Sequence, residues 1–336
     1  MHSDRADTSP SATPIARSIF AYLALAYAIA WLAWLPLIRL HVAEEYLNIG
    51  VAGPALAALL LVRTGRRLAG FPLRRMVRFA GLAAGCWLLI SLYYANRGSD
   101  HLLLRFNPWL LIPAALPAWI LSSARSRDSG VREFAARLVH RPSRWTIYAL
   151  LAFPALQLIP AALMHLLHQP LVWPAWHGKL PYVVLNGLLF LAFNIFFVGV
   201  QEEPGWRGFL LDRLQLRFSP VLASILIWLP WALWHGPLDY FRPVPYTLVF
   251  WLLLRVITLI PLCIIFTWFY NRSGRSIQAT VMFHAGMNSA PILLPYSQPA
   301  MALLFVWAGW IVFSDKMWRR LPARRASAKT EPAVPV

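Results

Sequence analysis

The sequence is short of charge. Only 13% of its 336 residues are Asp, Glu, Lys or Arg, against 59% that are hydrophobic, whereas a soluble domain carries about 25% charged residues. That excludes a fold whose whole surface meets water, because so much apolar surface cannot be hidden by folding alone; lipid must be the solvent for much of the chain. Acidic residues are the scarcest, 13 against 31 Lys and Arg, for a net charge of +18. On a soluble protein that balance points to nucleic acid. Here the cations gather in short segments between apolar runs, which reads as cytoplasmic loops beside anionic lipid, and no nucleic-acid partner is expected. Cysteine is nearly absent. Cys86 and Cys263 lie inside apolar runs, far apart and without metal-ligand spacing, so both read as small buried hydrophobes. There is no internal repeat, no phosphate-binding glycine loop and no strand-like alternation. The missing repeat disfavours a transporter built from paired broken helices.

Ten apolar runs are present, at residues 18–40, 46–62, 79–95, 108–122, 145–165, 182–213, 220–238, 246–270, 277–293 and 298–315. The first, about 22 residues long, exceeds a signal-peptide core and reads as an uncleaved helix. Lys and Arg collect after the second, fourth, sixth, eighth and tenth runs and thin out in the alternate loops. This alternation predicts ten helices with both termini cytoplasmic. The expected fold class is all-α, a polytopic membrane protein of about 8–10 transmembrane helices, set in a bacterial inner (plasma) membrane. The expected organisation is a polar tail at 1–17, an N-terminal transmembrane unit at 18–144, a membrane core at 145–315 and a basic disordered tail at 316–336. Residues 123–144 form the longest polar stretch and the boundary between the two units.

Ionisable residues inside membrane helices are rare, because each is costly unless paired or hydrated, and so mark function. The sixth run ends in Gln201-Glu202-Glu203-Pro204-Gly205-Trp206-Arg207-Gly208. Glu203 and Arg207 are four apart with Glu first, the favourable order for a helical ion pair. Glu202 points about 100° away and stays free to take a proton. Trp231 and His235 share a face of the seventh run, and His284 and Asn288 a face of the ninth. With starts at Pro220 and near Ser276, the rise of 1.5 Å per residue puts Glu202, His235, His284 and Asn288 about 18, 22, 12 and 18 Å from one membrane face. Three helices thus bring polar groups to a similar depth, where they can line one wet cavity in the C-terminal half. Pro204-Gly205 is expected to kink or break its helix. Arg255 is left between two roles, a partner for a site carboxylate or a lining residue, and Asn194 reads as a packing contact.

Taken together, E-E-x-x-x-R (Glu202, Glu203, Arg207), an aromatic-x-x-x-His (Trp231, His235) and H-x-x-x-N (His284, Asn288) resemble the three motifs of the CPBP family, the CAAX-protease and bacteriocin-processing intramembrane endopeptidases. The resemblance covers roughly residues 182–295. It departs from the family's pattern at Trp231, where Phe is usual. It implies peptide-bond hydrolysis within or next to the membrane. Glu202 and His235 would activate water, His284 and Asn288 would stabilise the oxyanion, and Glu203, Arg207 and Trp231 would support them. Such chemistry needs a base in a desolvated site and donors aimed at the tetrahedral oxygen. Glu202, His235 and His284 are also side chains that bind zinc. No H-E-x-x-H is present, so zinc as the one candidate cofactor and metal-free hydrolysis both stay open. The implied partners are membrane lipid and a peptide or membrane-anchored protein substrate. The competing reading is a non-catalytic immunity or scaffold protein of the same fold.

Overall fold

Polar caps stand at the breaks between apolar runs. Ser219, Thr247 and Ser276 each accept the backbone N–H three residues on, satisfying an amide that the first helical turn leaves free. The computed structural model describes residues 12–65, 72–96, 107–174, 180–240, 247–295 and 298–322. The helices are α1 (Ala12–Arg39), α2 (Gly53–Leu61), α3 (Pro72–Asn96), α4 (Leu111–Ser122), α5 (Ser129–Val139) and α6 (Arg144–Leu166). They continue with α7 (residues 180–214), α8 (Pro220–Trp234), α9 (Leu248–Arg272), α10 (Ile277–Leu293) and α11 (Gln298–Ser314). No strand occurs among the described residues.

The molecule is an all-α polytopic membrane protein. Among the described residues five helices are long and apolar enough to cross a membrane, Pro14–Arg39, Leu73–Asn96, Arg144–Leu166, Val184–Leu214 and Val249–Arg272; Pro220–Trp234 and Pro299–Ser314 are apolar but shorter. The runs at 46–62 and 108–122 yield α2 and α4, of 9 and 12 residues. At 1.5 Å per residue these two helices reach about 14 and 18 Å, and the helical turns Glu44–Leu47 and Asn48–Val51 before α2, and Pro108–Leu110 and Ser123–Arg125 on either side of α4, lengthen both. Large apolar side chains such as Phe20 and Leu32 are three-quarters exposed, as helix faces turned to lipid should be.

Two expectations need amending. Helix α1 starts at Ala12, so only residues 1–11 of the expected polar tail fall outside the described residues, as do 323–336 of the basic tail. The polar stretch 123–144 contains α5, whose Val131, Phe134, Ala135 and Leu138 are buried. Their i, i+3, i+4, i+7 spacing is that of an amphipathic helix, masked in the sequence by the surrounding arginines.

Helix α7 is one continuous helix built from α and π turns. Wide π turns at Asn194–Gly199 and Pro204–Leu211 flank the α turn Val200–Glu203. The expected break at Pro204 does not occur: Glu203 (φ −64, ψ −33) and Pro204 (φ −56, ψ −37) both keep helical dihedrals. A π turn bonds residues five apart, so the widened helix accommodates a proline ring and its missing N–H. Gly205 then meets α2. A Cβ there would lie 2.5 Å from the carbonyl carbon and oxygen of Pro54, and small residues are what allow membrane helices to approach so closely. Gly205→Ala is expected to lower stability by about 1–3 kcal/mol, read as a lower melting temperature in detergent. An unchanged melting temperature would mean that α2 yields without cost.

Candidate active site

The site is assembled where α7, α8, α9 and α10 meet. The α turn Val200–Glu203 carries both carboxylates, fully buried. Glu203 Oε1 accepts from Arg207 Nη1 at 2.7 Å and pairs with His284 Nδ1 at 2.7 Å. The i, i+4 ion pair read from spacing is therefore present, and it has a third member that spacing along one helix could not reveal. The guanidinium of Arg207 lies between two rings, 4.4 Å from the Trp231 centroid and 3.7 Å from that of Phe266 on α9. Cation–π contact of this kind compensates a buried cation for lost water.

Glu202 faces a different partner. Its Oε2 accepts the indole N–H of Trp231 at 2.8 Å, and His235 Nδ1 lies 2.8 Å from the backbone carbonyl of the same Trp231. A carbonyl only accepts, so Nδ1 carries the hydrogen, and Nε2 of a neutral His235 keeps its lone pair. Trp231 therefore holds Glu202 by its side chain and His235 by its backbone. The substitution of Trp for the family's usual Phe supplies a donor that phenylalanine lacks. His235 stands at the C-terminal end of α8, half-buried, while Glu202, Glu203, Arg207 and His284 are all buried.

Asn288 is half-buried and bonds outside that cluster. Its Nδ2 donates to Oδ1 of Asn194 at 2.9 Å, and Asn194 donates to the Phe190 carbonyl at 2.8 Å. Asn194, read from sequence as a packing residue, is thus the group that orients the Asn288 amide. Arg255 pairs with Asp239, which also accepts from Trp251 at 3.0 Å; it does not pair with Glu202 or Glu203. Sequence reasoning also missed α1. Tyr27 donates to the Pro230 carbonyl at 2.6 Å and Trp31 to the Trp234 carbonyl at 3.1 Å, so α1 braces the end of α8 from which His235 projects. Their hydroxyl and indole donors on a helix meant for lipid were the available signal.

The zinc set Glu202, His235 and His284 is not assembled. Among the described residues no three His, Cys, Asp or Glu side chains converge as metal ligands. Glu202 Oε2 and His284 Nδ1 are each held by a protein partner, and the second oxygen of Glu202 and Nε2 of His284 are the atoms that face away from those bonds.

Glu203 carries the internal balance of the site. Replacing one member of a buried ion pair strands its partner, at a cost of about 3–5 kcal/mol. Glu203→Gln is accordingly expected to lower the melting temperature of the purified protein. A variant that melts like wild type would deny Glu203 this structural role.

Comparison with known proteins agrees with the geometry. Residues 184–290 match the family described as type II CAAX prenyl endopeptidase Rce1-like, the stretch that holds all three polar helices. The chain is also 27% identical over 227 residues to CAAX prenyl protease 2 of Methanococcus maripaludis, an alignment covering 62% of this chain and 82% of that protein. With the three motifs drawn together on α7, α8 and α10 of a membrane-embedded helical fold, the chain is similar over this stretch to the CPBP/CAAX protease family of intramembrane peptide hydrolases.

Proposed function

We propose that the protein hydrolyses a peptide bond within or next to the membrane, with Glu202 and His235 activating water and His284 and Asn288 stabilising the oxyanion. The observation that carries this reading is the division of labour between adjacent carboxylates: Glu203 takes both cationic partners, Arg207 and His284, on Oε1, with Oε2 fully buried, while Glu202 has a single neutral indole donor on one oxygen. The other oxygen of Glu202 is left to hold a water and remove its proton. The resulting hydroxide attacks the scissile carbonyl, whose oxygen becomes negative. Collapse of the tetrahedral species breaks the C–N bond, and the proton held by Glu202 passes to the leaving amine. His235, with its lone pair on Nε2, orients the water or relays that proton.

Oxyanion stabilisation follows from the charges. His284 already gives Nδ1–H to Glu203, so donation from Nε2 requires the imidazolium form, with Glu203 as counter-charge. Once Glu202 has taken the proton, Arg207 and an imidazolium on the one remaining carboxylate leave net positive charge in a buried site. A developing oxyanion is stabilised most by charge and dipoles fixed in advance where water is scarce. Asn288, oriented by Asn194, has a second amide hydrogen to add. The substrate class is a peptide or membrane-anchored protein. The name of the archaeal relative makes a lipid-modified C-terminal peptide the first probe to try. Loop charge supports cytoplasmic termini.

Purified protein in lipid, given a membrane-peptide library, is expected to generate new C-termini detectable by mass spectrometry. Glu202→Gln and His235→Ala should reduce the rate by about 10²–10⁴-fold. Identical product profiles from wild type and both variants would sink the proposal. Trp231→Phe keeps the ring but removes the N–H to Glu202. A hydrogen bond to a charged group contributes about 1.5–3 kcal/mol, so a loss of about 10- to 150-fold is expected. A fully active Trp231→Phe would mean that the indole N–H does not position Glu202.

A further inference from the structure

A cavity of about 850 Å³ opens away from the catalytic cluster, between the ends of α2 and α4 and the start of α3. Four arginines line it, Arg63, Arg75, Arg125 and Arg127, against one carboxylate, Asp128. That carboxylate is already committed. It caps α5 by accepting from Val131 N–H at 3.1 Å and ties down the chain after α2 by accepting from Thr64 N–H at 3.1 Å and Gly65 N–H at 2.8 Å. Burial opposes ionisation there, but the Val131, Thr64 and Gly65 amides outweigh it and hold the carboxyl below the usual carboxylate range. Asp128 is therefore a structural anion. Arg63, Arg75 and Arg125 have no carboxylate partner among the described residues. An unbalanced cluster of cations in a concave wall is a site for an anion.

The remaining wall says which kind of anion. Leu60, Met76, Phe79 and Trp119 line the same cavity, and Leu60, Met76 and Trp119 are 49%, 65% and 50% exposed. The cavity is thus continuous with the apolar face turned to lipid. The guanidinium of Arg75 lies 4.9 Å over the Trp119 ring, a pairing of cation and indole suited to headgroup depth. Basic pockets between transmembrane helices at that level suit lipid headgroups. We propose that this cavity binds an anionic phospholipid, the guanidinium groups of Arg63, Arg75 and Arg125 meeting the phosphate and the acyl chains lying along Leu60, Met76 and Phe79. The site is independent of the catalytic reading, since it shares none of its residues.

The test uses the full chain in phosphatidylcholine nanodiscs and spin-labelled phosphatidylglycerol, with spin-labelled phosphatidylcholine as the zwitterionic arm. The anionic label is expected to be motionally restricted at least about tenfold more strongly than the zwitterionic one. Arg63→Gln/Arg125→Gln, two exposed positions, is expected to lose about ten- to thirtyfold of that preference. Arg319→Gln/Arg320→Gln, exposed and outside the cavity lining, should retain it. Should the double variant melt abnormally, Arg75→Gln alone replaces it, with the same loss expected in kind. Equal restriction of both labels, or full preference in the cavity variants, would overturn the proposal. So would displacement of the label by millimolar inorganic phosphate, which would assign the site to a free anion, or by a peptide substrate, which would assign it to protein.

Discussion

A buried carboxylate in a membrane has to be neutralised where it stands, and Glu203 is neutralised twice. Arg207 reaches it from one turn along α7 and His284 from α10. Neither partner is free to move. Arg207 is clamped between Trp231 of α8 and Phe266 of α9, and the ring of His284 sits edge-on to both of those aromatics at 5.8 and 5.6 Å. Four helices are therefore locked through one carboxylate. Interhelical polar contacts in lipid owe their value to the alternative, an unsatisfied group in hydrocarbon. Because Glu203 is occupied in this way, its neighbour Glu202 is left with a single donor and the freedom a base requires.

The backbone serves the same arrangement. A straight α-helix would place Pro204 where its ring crowds the preceding turn. The π turns widen the helix there without interrupting it, and π turns inside α-helices recur at functional sites. They also let Gly205 lie against Pro54. The close packing of α7 on α2, and of α10 on α6 where Gly286 faces the Leu150 carbonyl, sets the distances across which Glu203 and His284 meet. Helix α1 completes the frame by taking up carbonyls at the end of α8. The N-terminal part of the chain, which contributes none of the three motifs, thus holds one of their members in position.

Much of this was readable beforehand, for identifiable reasons. Helix starts at Pro220 and Ile277 follow from Ser219 and Ser276, because capping is a local interaction. The Glu203–Arg207 pair follows from helical spacing for the same reason. The amphipathic α5 was equally local and was obscured only by its arginines. What escaped were bonds between distant segments: Arg255 with Asp239, Asn194 with Asn288, Trp231 with Glu202. Each side chain had several chemically adequate partners in the sequence, and nothing along one helix selects among partners on another.

By itself, then, the sequence determined the solvent, the helical class, the cap positions and the set of polar residues that lipid would not tolerate singly. These depend on composition and on contacts within about one turn, which the order of residues specifies directly. The tertiary structure decided which partners on other helices each carboxylate meets. Glu202 and Glu203 are adjacent and chemically alike. The Arg207 partner of Glu203 is set along α7 itself, but only the packing of α7 against α8 and α10 directs Glu202 to an indole and Glu203 to a histidine, because hydrogen bonds reach about 3 Å and depend on where neighbouring helices place their atoms.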